Sequence, residues 1–597
     1  MKSCQEHAQF QQLFVYQRGR CILGFRGNIT SIGRTKGHKR FSRPEKQRLQ
    51  REEVKQMKKT LAGIALGCVL AVSLTACGGS KSTETTAADA SAETSATAES
   101  SAAETTTDGS GKIVRVAAVD PQVALDPQQY TYSIVMKITD NITESLLTTT
   151  ENGLEPTLLA SMPTISDDQM TYSFELLPDV KFHNGETLKA SDVKYSYERL
   201  IKMAKMATLL ENVVGYDEMS AGTADELSGI EVQDDTHFTI QLKKPYAPFL
   251  SVLSTAYCAI YPQDACEEAG DNWGMSVLYG TGPFKMDSYQ TGVGVTLSRF
   301  EDYHDDGVKL DGLDYKFIED VNTQVLEYQK GNVDYVDVDP SIYPVYSSNP
   351  DLKDQMHGFQ PTGCYSLTVN SKTFPDAKVR EAIALSIDRK SICDSILHGT
   401  ATVPTSYIPA GIIGHDDSLP EFEYNPEQAK QLLAEAGYPD GIDLRVTVNT
   451  KYQGNVAIAT AFQQQAKAAG INVEVEQVDS AAWSDMKKSG GVDCGISNWY
   501  VDYADPESML YPMTKTDTNS SFWHNAEFDQ LLEDGIATTD DAERQEIYVK
   551  AEHIMTREDW ATTPLYNETK FYLLNPKISG FQMDSTFRMF WKNADIQ

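Results

Sequence analysis

Cysteine is scarce and unpatterned in this chain. There are nine in 597 residues, with no CxxC pair and no regular spacing. That signals neither a zinc site nor a disulfide framework. After Cys77 only Cys258, Cys266, Cys364, Cys393 and Cys494 remain, and one Cys258–Cys266 bridge stays open as a possibility in an oxidising setting. Positive charge is scarce too: 52 Lys and Arg face 85 Asp and Glu. Residues 1–76 run the other way, with 15 basic and 4 acidic residues, which leaves 37 basic against 81 acidic in the rest. Such a surface repels nucleic-acid phosphates and anionic headgroups. It weakly favours cationic or zwitterionic ligands, although simple solubility explains the charge equally well. Catalytic signatures are missing as well. There is no GxSxG, no HExxH, no Walker A loop and no GxGxxG opening a helix. His183, His304, His524 and His553 sit in unrelated segments, without ligand spacing. No metal or cofactor is implied.

Long apolar runs are also lacking. The strongest spans Leu61 to Leu74, behind the basic start Met57-Lys58-Lys59. It is short for a membrane span and has the layout of a secretory signal peptide over 57–76. Its end, Leu74-Thr75-Ala76-Cys77, resembles the bacterial lipobox, in which the cysteine takes a diacylglycerol and becomes the new N-terminus. The alternative is an ordinary signal peptide cut nearby, with Cys77 unmodified. Residues 1–56 are basic and lack an amphipathic period. They read as an upstream extension; the alternative is a genuine cytoplasmic segment that turns the apolar run into a signal anchor. From Cys77 to about 111 the chain is almost entirely Ser, Thr, Ala, Glu and Gly without an aromatic residue. It has nothing to bury and reads as a disordered tether.

From residue 112 the text becomes structured. "KIVRVAAVD" is a strand, and "SIVMKITDNITESLLTT" a helix running into a strand. "MTYSFELLPDVKFHNGETL" reads as a strand pair turning at Asn184-Gly185, "KASDVKYSYERLIKMA" as a helix, and "GIEVQDDTHFTIQLKKPY" as a hairpin. "APFLSVLSTAYCAIYP" reads as one buried helix, and "VREAIALSIDRKSICDSIL" as another. "IDLRVTVNT" and "INVEVEQVD" flank the helical "GNVAIATAFQQQAKAAG", which predicts a parallel strand–helix–strand unit. The fold class is α/β, with two major lobes.

One stretch raises a chemical question. "SNWYVDYADPES" packs Trp499, Tyr500 and Tyr503 around Asp502 and Asp505. Aromatics favour burial, and carboxylates resist it unless a cation meets them. Taken alone, the stretch is a surface turn with two solvated aspartates.

Several motifs in one order then point to a family. "YSFELLPDVKFHNGETLKASDVKYSYER" (172–199), "YGTGPFKM" (279–286), "KGNVDYV" (330–336), "FPDAKVREAIALSIDR" (374–389), "YNPEQAKQLLAEAGY" (424–438) and "HNAEFDQLL" (524–532) together resemble the family 5 extracellular solute-binding proteins. These are the oligopeptide, dipeptide and nickel receptors of ABC importers. The resemblance spans about 112–597. It implies a bilobal Venus-flytrap, periplasmic-binding-protein-like fold of the larger class, with an extra domain in the first lobe. The expected bounds are about 112–153, 275–372 and 562–597 for lobe I, 154–274 for the extra domain, and 373–561 for lobe II. It implies ligand capture between lobes, hinge closure, delivery to an ABC permease with its ATPase subunits, and a monomer. With lipid on Cys77, the protein is expected outside the cell membrane, anchored to it.

The resemblance also assigns roles. Asp502, three residues after Trp499, is implied to meet a peptide's α-ammonium, with Tyr500 pairing through its main chain and Trp499 and Tyr503 as walls. Tyr132 and Ser133 align with a second backbone-pairing segment. Asp505, before Pro506, reads as a turn residue. The signature residues Asn184, Gly185, Asp192 and Arg199 read as structural, with Arg199 paired internally. Nickel chelates, haem and signalling peptides remain alternative ligands within the family, and a surface-anchored hydrolase is a more distant alternative.

Overall fold

A computed structural model describes residues 111–150, 153–513 and 521–597. The expected signal peptide, Cys77 and the tether lie outside these residues. Two large sheets carry the architecture. A seven-stranded sheet runs in the order 356–359, 570–574, 335–338, 113–118, 312–317, 294–299, 284–290. Its central strand Ile113–Ala118 pairs in parallel with Gly312–Phe317. Separate apolar clusters pack around it, one with Val114, Val116 and Tyr315, the other with Ala117, Val325 and Val336. A six-stranded sheet runs 401–402, 562–568, 363–369, 494–500, 442–449, 471–478.

The expected strand–helix–strand unit lies in this second sheet. Ile442–Asn449 and Ile471–Val478 are parallel, with Ile442 opposite Ile471, and the helix Gln453–Gln465 connects them. Leu444, Val446 and Val448 are all buried, since helices cover that face.

A four-stranded sheet, 164–165, 171–175, 237–241 and 230–232, forms the extra domain with the helix Ala190–Met203. Val193, Tyr197, Leu200 and Ile201 recur at helical spacing and are all buried. Asp192 accepts from the backbone N–H of Lys189 at 2.9 Å and closes the helix start. Gly185 takes φ +88° in the expected turn, a conformation open to glycine. Arg199 finds its internal partner in Asp126 at 2.6 Å, which ties this helix to the loop after the first strand.

The sheets correct the expected boundaries. Gly363–Val369 is a fully buried central strand of the second lobe, and Thr562–Glu568 is its neighbour, so 363–372 and 562–568 leave lobe I. The crossings fall near Thr362, whose N–H donates to Ser585 O at 2.7 Å, and near Thr569, which donates to Thr400 O at 2.7 Å. The extra domain's core begins at Leu146 and ends near Ile260, whereas Ala259, Tyr261, Cys266 and Trp273 pack into the first lobe. Two expected helices are broken. Phe249–Leu253 is followed by a separate turn at Ala256–Cys258, and Ala377–Leu385 stops before Asp388, which caps a new helix through Ser391 N–H at 2.9 Å. Cys258 and Cys266 are buried free thiols, so that bridge is not formed.

Candidate functional site

A cleft of about 820 Å³ lies between the lobes, lined from both of them and from the extra domain's edge. One wall is the end of the strand Cys494–Tyr500. Successive side chains on a strand face opposite ways. Tyr500 lines the cleft, Asn498 lines both the cleft and a smaller cavity of about 240 Å³, and Trp499 lines that smaller cavity and not the cleft. Trp499 is therefore not a cleft wall. Its indole N–H donates to Ser508 O at 2.7 Å, and Ser508 Oγ accepts from the Asp502 N–H at 2.9 Å. Trp499 thus braces the Asp502 loop from behind. Tyr500 packs edge-on against Phe587 of the first lobe, centroids 5.0 Å apart. Opposite Tyr500, Gly363 has no room for a Cβ, which would overlap the Tyr500 ring. Phe587 holds φ +69°, a strained conformation for a non-glycine residue at the cleft.

Asp502 lines the cleft with no hydrogen bond or ion pair to its carboxylate among the described residues. Burial alone pushes its carboxyl up to about 6 from 3.8. Tyr257 lies close enough to feel its charge. Tyr503 does line the cleft, but its hydroxyl turns away and donates to Glu507. Tyr246 of the extra domain reaches the same group, 3.2 Å from the Tyr503 hydroxyl and 3.4 Å from Glu507. Tyr503 and Ile536 are accordingly part of the extra domain's apolar core. Burial pushes the Glu507 carboxyl up to about 7, against the phenolic hydrogen bond from Tyr503.

Asp505 corrects the sequence reading. It is 3% exposed and caps the helix Pro506–Leu510 through Glu507 N–H at 3.0 Å. The guanidinium of Arg544 donates to both its oxygens at 2.9 and 2.7 Å. It is half of a buried ion pair and not a solvated turn residue. Ser133 lines the cleft; Tyr132 is 52% exposed outside the lining, and its carbonyl accepts from Val135 N–H at 2.9 Å.

Several cleft residues carried no sequence signal. Lys137, Lys570 and Arg588 all line it, Lys137 and Arg588 each beside a carboxylate far away in sequence and Lys570 beside Glu568, two residues earlier. The histidines stay apart: His304 pairs with Glu144 at 2.9 Å, and His183 bonds Gly282 O at 2.9 Å. Among the described residues no group of three or more His, Cys, Asp and Glu is placed to hold a metal ion, and no helix is long and apolar enough to cross a membrane.

A family profile described as "Bacterial extracellular solute-binding proteins, family 5 Middle" matches residues 153–521. Heme-binding protein A of Haemophilus influenzae is 27% identical over 458 residues, covering 72% of this chain and 81% of that protein. Glutathione-binding protein GsiB of Escherichia coli is 25% identical over 511 residues, covering 82% of this chain and 95% of that protein. Among solved structures, the unliganded open form of the periplasmic murein tripeptide binding protein MppA superposes with TM-score 0.71 at 22% identity, over 82% of this chain and 98% of that one. Listeria monocytogenes OppA bound to peptide gives 0.65 at 21% identity, over 82% and 99%. At these identities the structures show a shared bilobal fold.

Proposed function

This chain belongs to the bacterial extracellular solute-binding proteins of family 5, the non-enzymatic binding components of ABC transporters, and from that premise we propose that it captures peptides by their α-ammonium group on Asp502 and hands them to a permease. The observation that carries this reading is Asp502 itself: a partly desolvated carboxylate in the interlobe cleft, with no cation of its own among the described residues. Every peptide offers one ammonium and a common backbone, so a receptor for varied peptides anchors the charge first. A carboxylate whose proton affinity is raised by burial gains most when a cation arrives, because the low local dielectric strengthens that contact. The names of relatives agree with this choice, since glutathione, a murein tripeptide and the ligand of OppA are all peptides. Haem, named for another relative, brings anionic propionates that find no unpaired cation among the described residues lining the cleft.

Ser133 and Tyr500 would frame the bound chain from opposite lobes, and the chain segments near Thr362 and Thr569 supply the hinge. Lipid on Cys77 would hold the protein at the outer face of the membrane; intact mass of membrane-extracted protein checks it, and a mature N-terminus elsewhere removes it. The peptide reading is tested by native mass spectrometry of the purified protein mixed with synthetic peptides, haem and nickel salts. Retention of free-amino peptides is expected. Retention of haem or nickel alone would replace the peptide reading.

A further inference from the structure

Among the described residues, three cations line the cleft, and each already sits beside a protein carboxylate. Lys137 Nζ lies 2.6 Å from Asp337, whose other oxygen accepts from the Tyr335 hydroxyl at 2.7 Å. Lys570 Nζ lies 2.9 Å from Glu568. Arg588 donates through Nε to Asp140 at 2.9 Å and through Nη1 to Ser254 O at 2.9 Å, and the charge of Asp584 acts on it as well. The aspartates are not matched in the same way. Asp339 is used by its own turn, bonded by Ser341 N–H at 2.8 Å, and Asp584 by Thr586 N–H at 2.8 Å and Arg588 N–H at 2.9 Å. Asp502 has no partner among the described residues.

A ligand carboxylate entering this cleft meets cations whose charge a protein carboxylate already offsets, Arg588 being held by Asp140 at 1% side-chain exposure, and it shares the space with the uncompensated charge of Asp502. An amine meets the opposite situation at Asp502. Resting on the α-ammonium reading above, we propose that the cleft reads its ligand at the amine end alone. Its ligand class is amine-headed peptides whose C-terminal carboxylate is unread, with amides and peptides of net positive charge favoured over acids of the same sequence.

The test is a pool of synthetic tetrapeptides, each supplied as free peptide, as C-terminal amide and as N-acetyl derivative. Retention by the protein is read by mass spectrometry, and titration calorimetry follows on retained sequences. Amides should bind as well as the acids or about two- to tenfold tighter, an advantage that shrinks as salt is raised. N-acetyl forms should lose tenfold or more. Amides binding tenfold or more weakly than acids would show that the carboxylate is read; that overturns the one-ended cleft and leaves the Asp502 anchor standing. Acetylated peptides binding as well as free ones, or no form binding at all, would overturn the anchor and this inference with it.

Discussion

Asp502 and Asp505 stand three residues apart on one loop, yet they occupy opposite physical situations. Asp505 faces inward, with two charge-assisted bonds from Arg544 and a helix N-terminus to cap. Asp502 faces the cleft, partly desolvated and with no partner among the described residues. Burial of a carboxylate is common to both. What differs is where the matching cation comes from: for Asp505 the protein supplies it, and for Asp502 the ligand would. A paired buried charge is costly to break, whereas an unpaired one is a standing cost that persists only where it serves something else.

Substitution to Asn separates the two. Asp505→Asn keeps the shape, strips Arg544 of its counter-charge and is expected to cost about 3–5 kcal/mol of stability. Urea unfolding monitored by tryptophan fluorescence measures it; a loss below about 1 kcal/mol would mean that the pair contributes little. Asp502→Asn should act with the opposite sign on the free protein. A carboxyl raised from 3.8 to about 6 carries a penalty on the order of 2–3 kcal/mol at neutral pH, and the amide removes it. The same change should weaken peptide binding by about tenfold to a hundredfold, the worth of a charge-assisted hydrogen bond. A variant that is more stable but binds worse is the expected signature. Unchanged affinity would detach Asp502 from the ligand.

Acidification sharpens the same contrast. The folded pKa of Asp502 lies above its unfolded value, so its penalty is fully present above about pH 6 and fades as pH falls toward 4. Ligand binding needs the ionised form and runs the other way. Peptide affinity should fall by up to about tenfold per pH unit below 6, and protons should be released on binding in that range. The Asp502→Asn variant should lose this acid limb. A flat profile in the wild type between pH 7 and 5 would contradict the anchor.

The comparison also shows what a sequence can carry. The parallel unit at 442–478 and the helix 190–203 were legible because hydrophobic period and local caps are short-range signals. The position of Asp502 was legible through a motif. The role of Asp505 was not, because Arg544 lies 39 residues on. Gly363–Val369 hid as a central strand because its alternating positions, Cys364 and Ser366 against Tyr365 and Leu367, carry no clean apolar pattern. Trp499 could have been placed correctly: if Tyr500 faces the cleft, its strand neighbour faces away. The cleft cations depend on partners brought together by the fold, such as Lys137 and Asp337, 200 residues apart.

The smallest expected effect lies beside these two aspartates, at Tyr503 and Glu507. Tyr246 crosses from the extra domain to touch both, and Ala247 N–H donates to Ile536 O at 2.7 Å beside it. Tyr246→Phe keeps the ring in the apolar core and removes only the hydroxyl. Glu507 retains the bond from Tyr503, so the loss should be about 0.5–1.5 kcal/mol of stability. With one donor gone, the Glu507 carboxyl should rise further above about 7, because a hydrogen bond to the ionised form had been holding it down. Peptide affinity should stay within about threefold, since this bond fixes the Tyr503 side chain and leaves the Asp502 carboxylate facing the cleft. A tenfold change in affinity would instead place Tyr246 on the ligand's side of the comparison. The extra domain's grip on the second lobe would then be part of binding, and the inward end of the loop would no longer be purely structural.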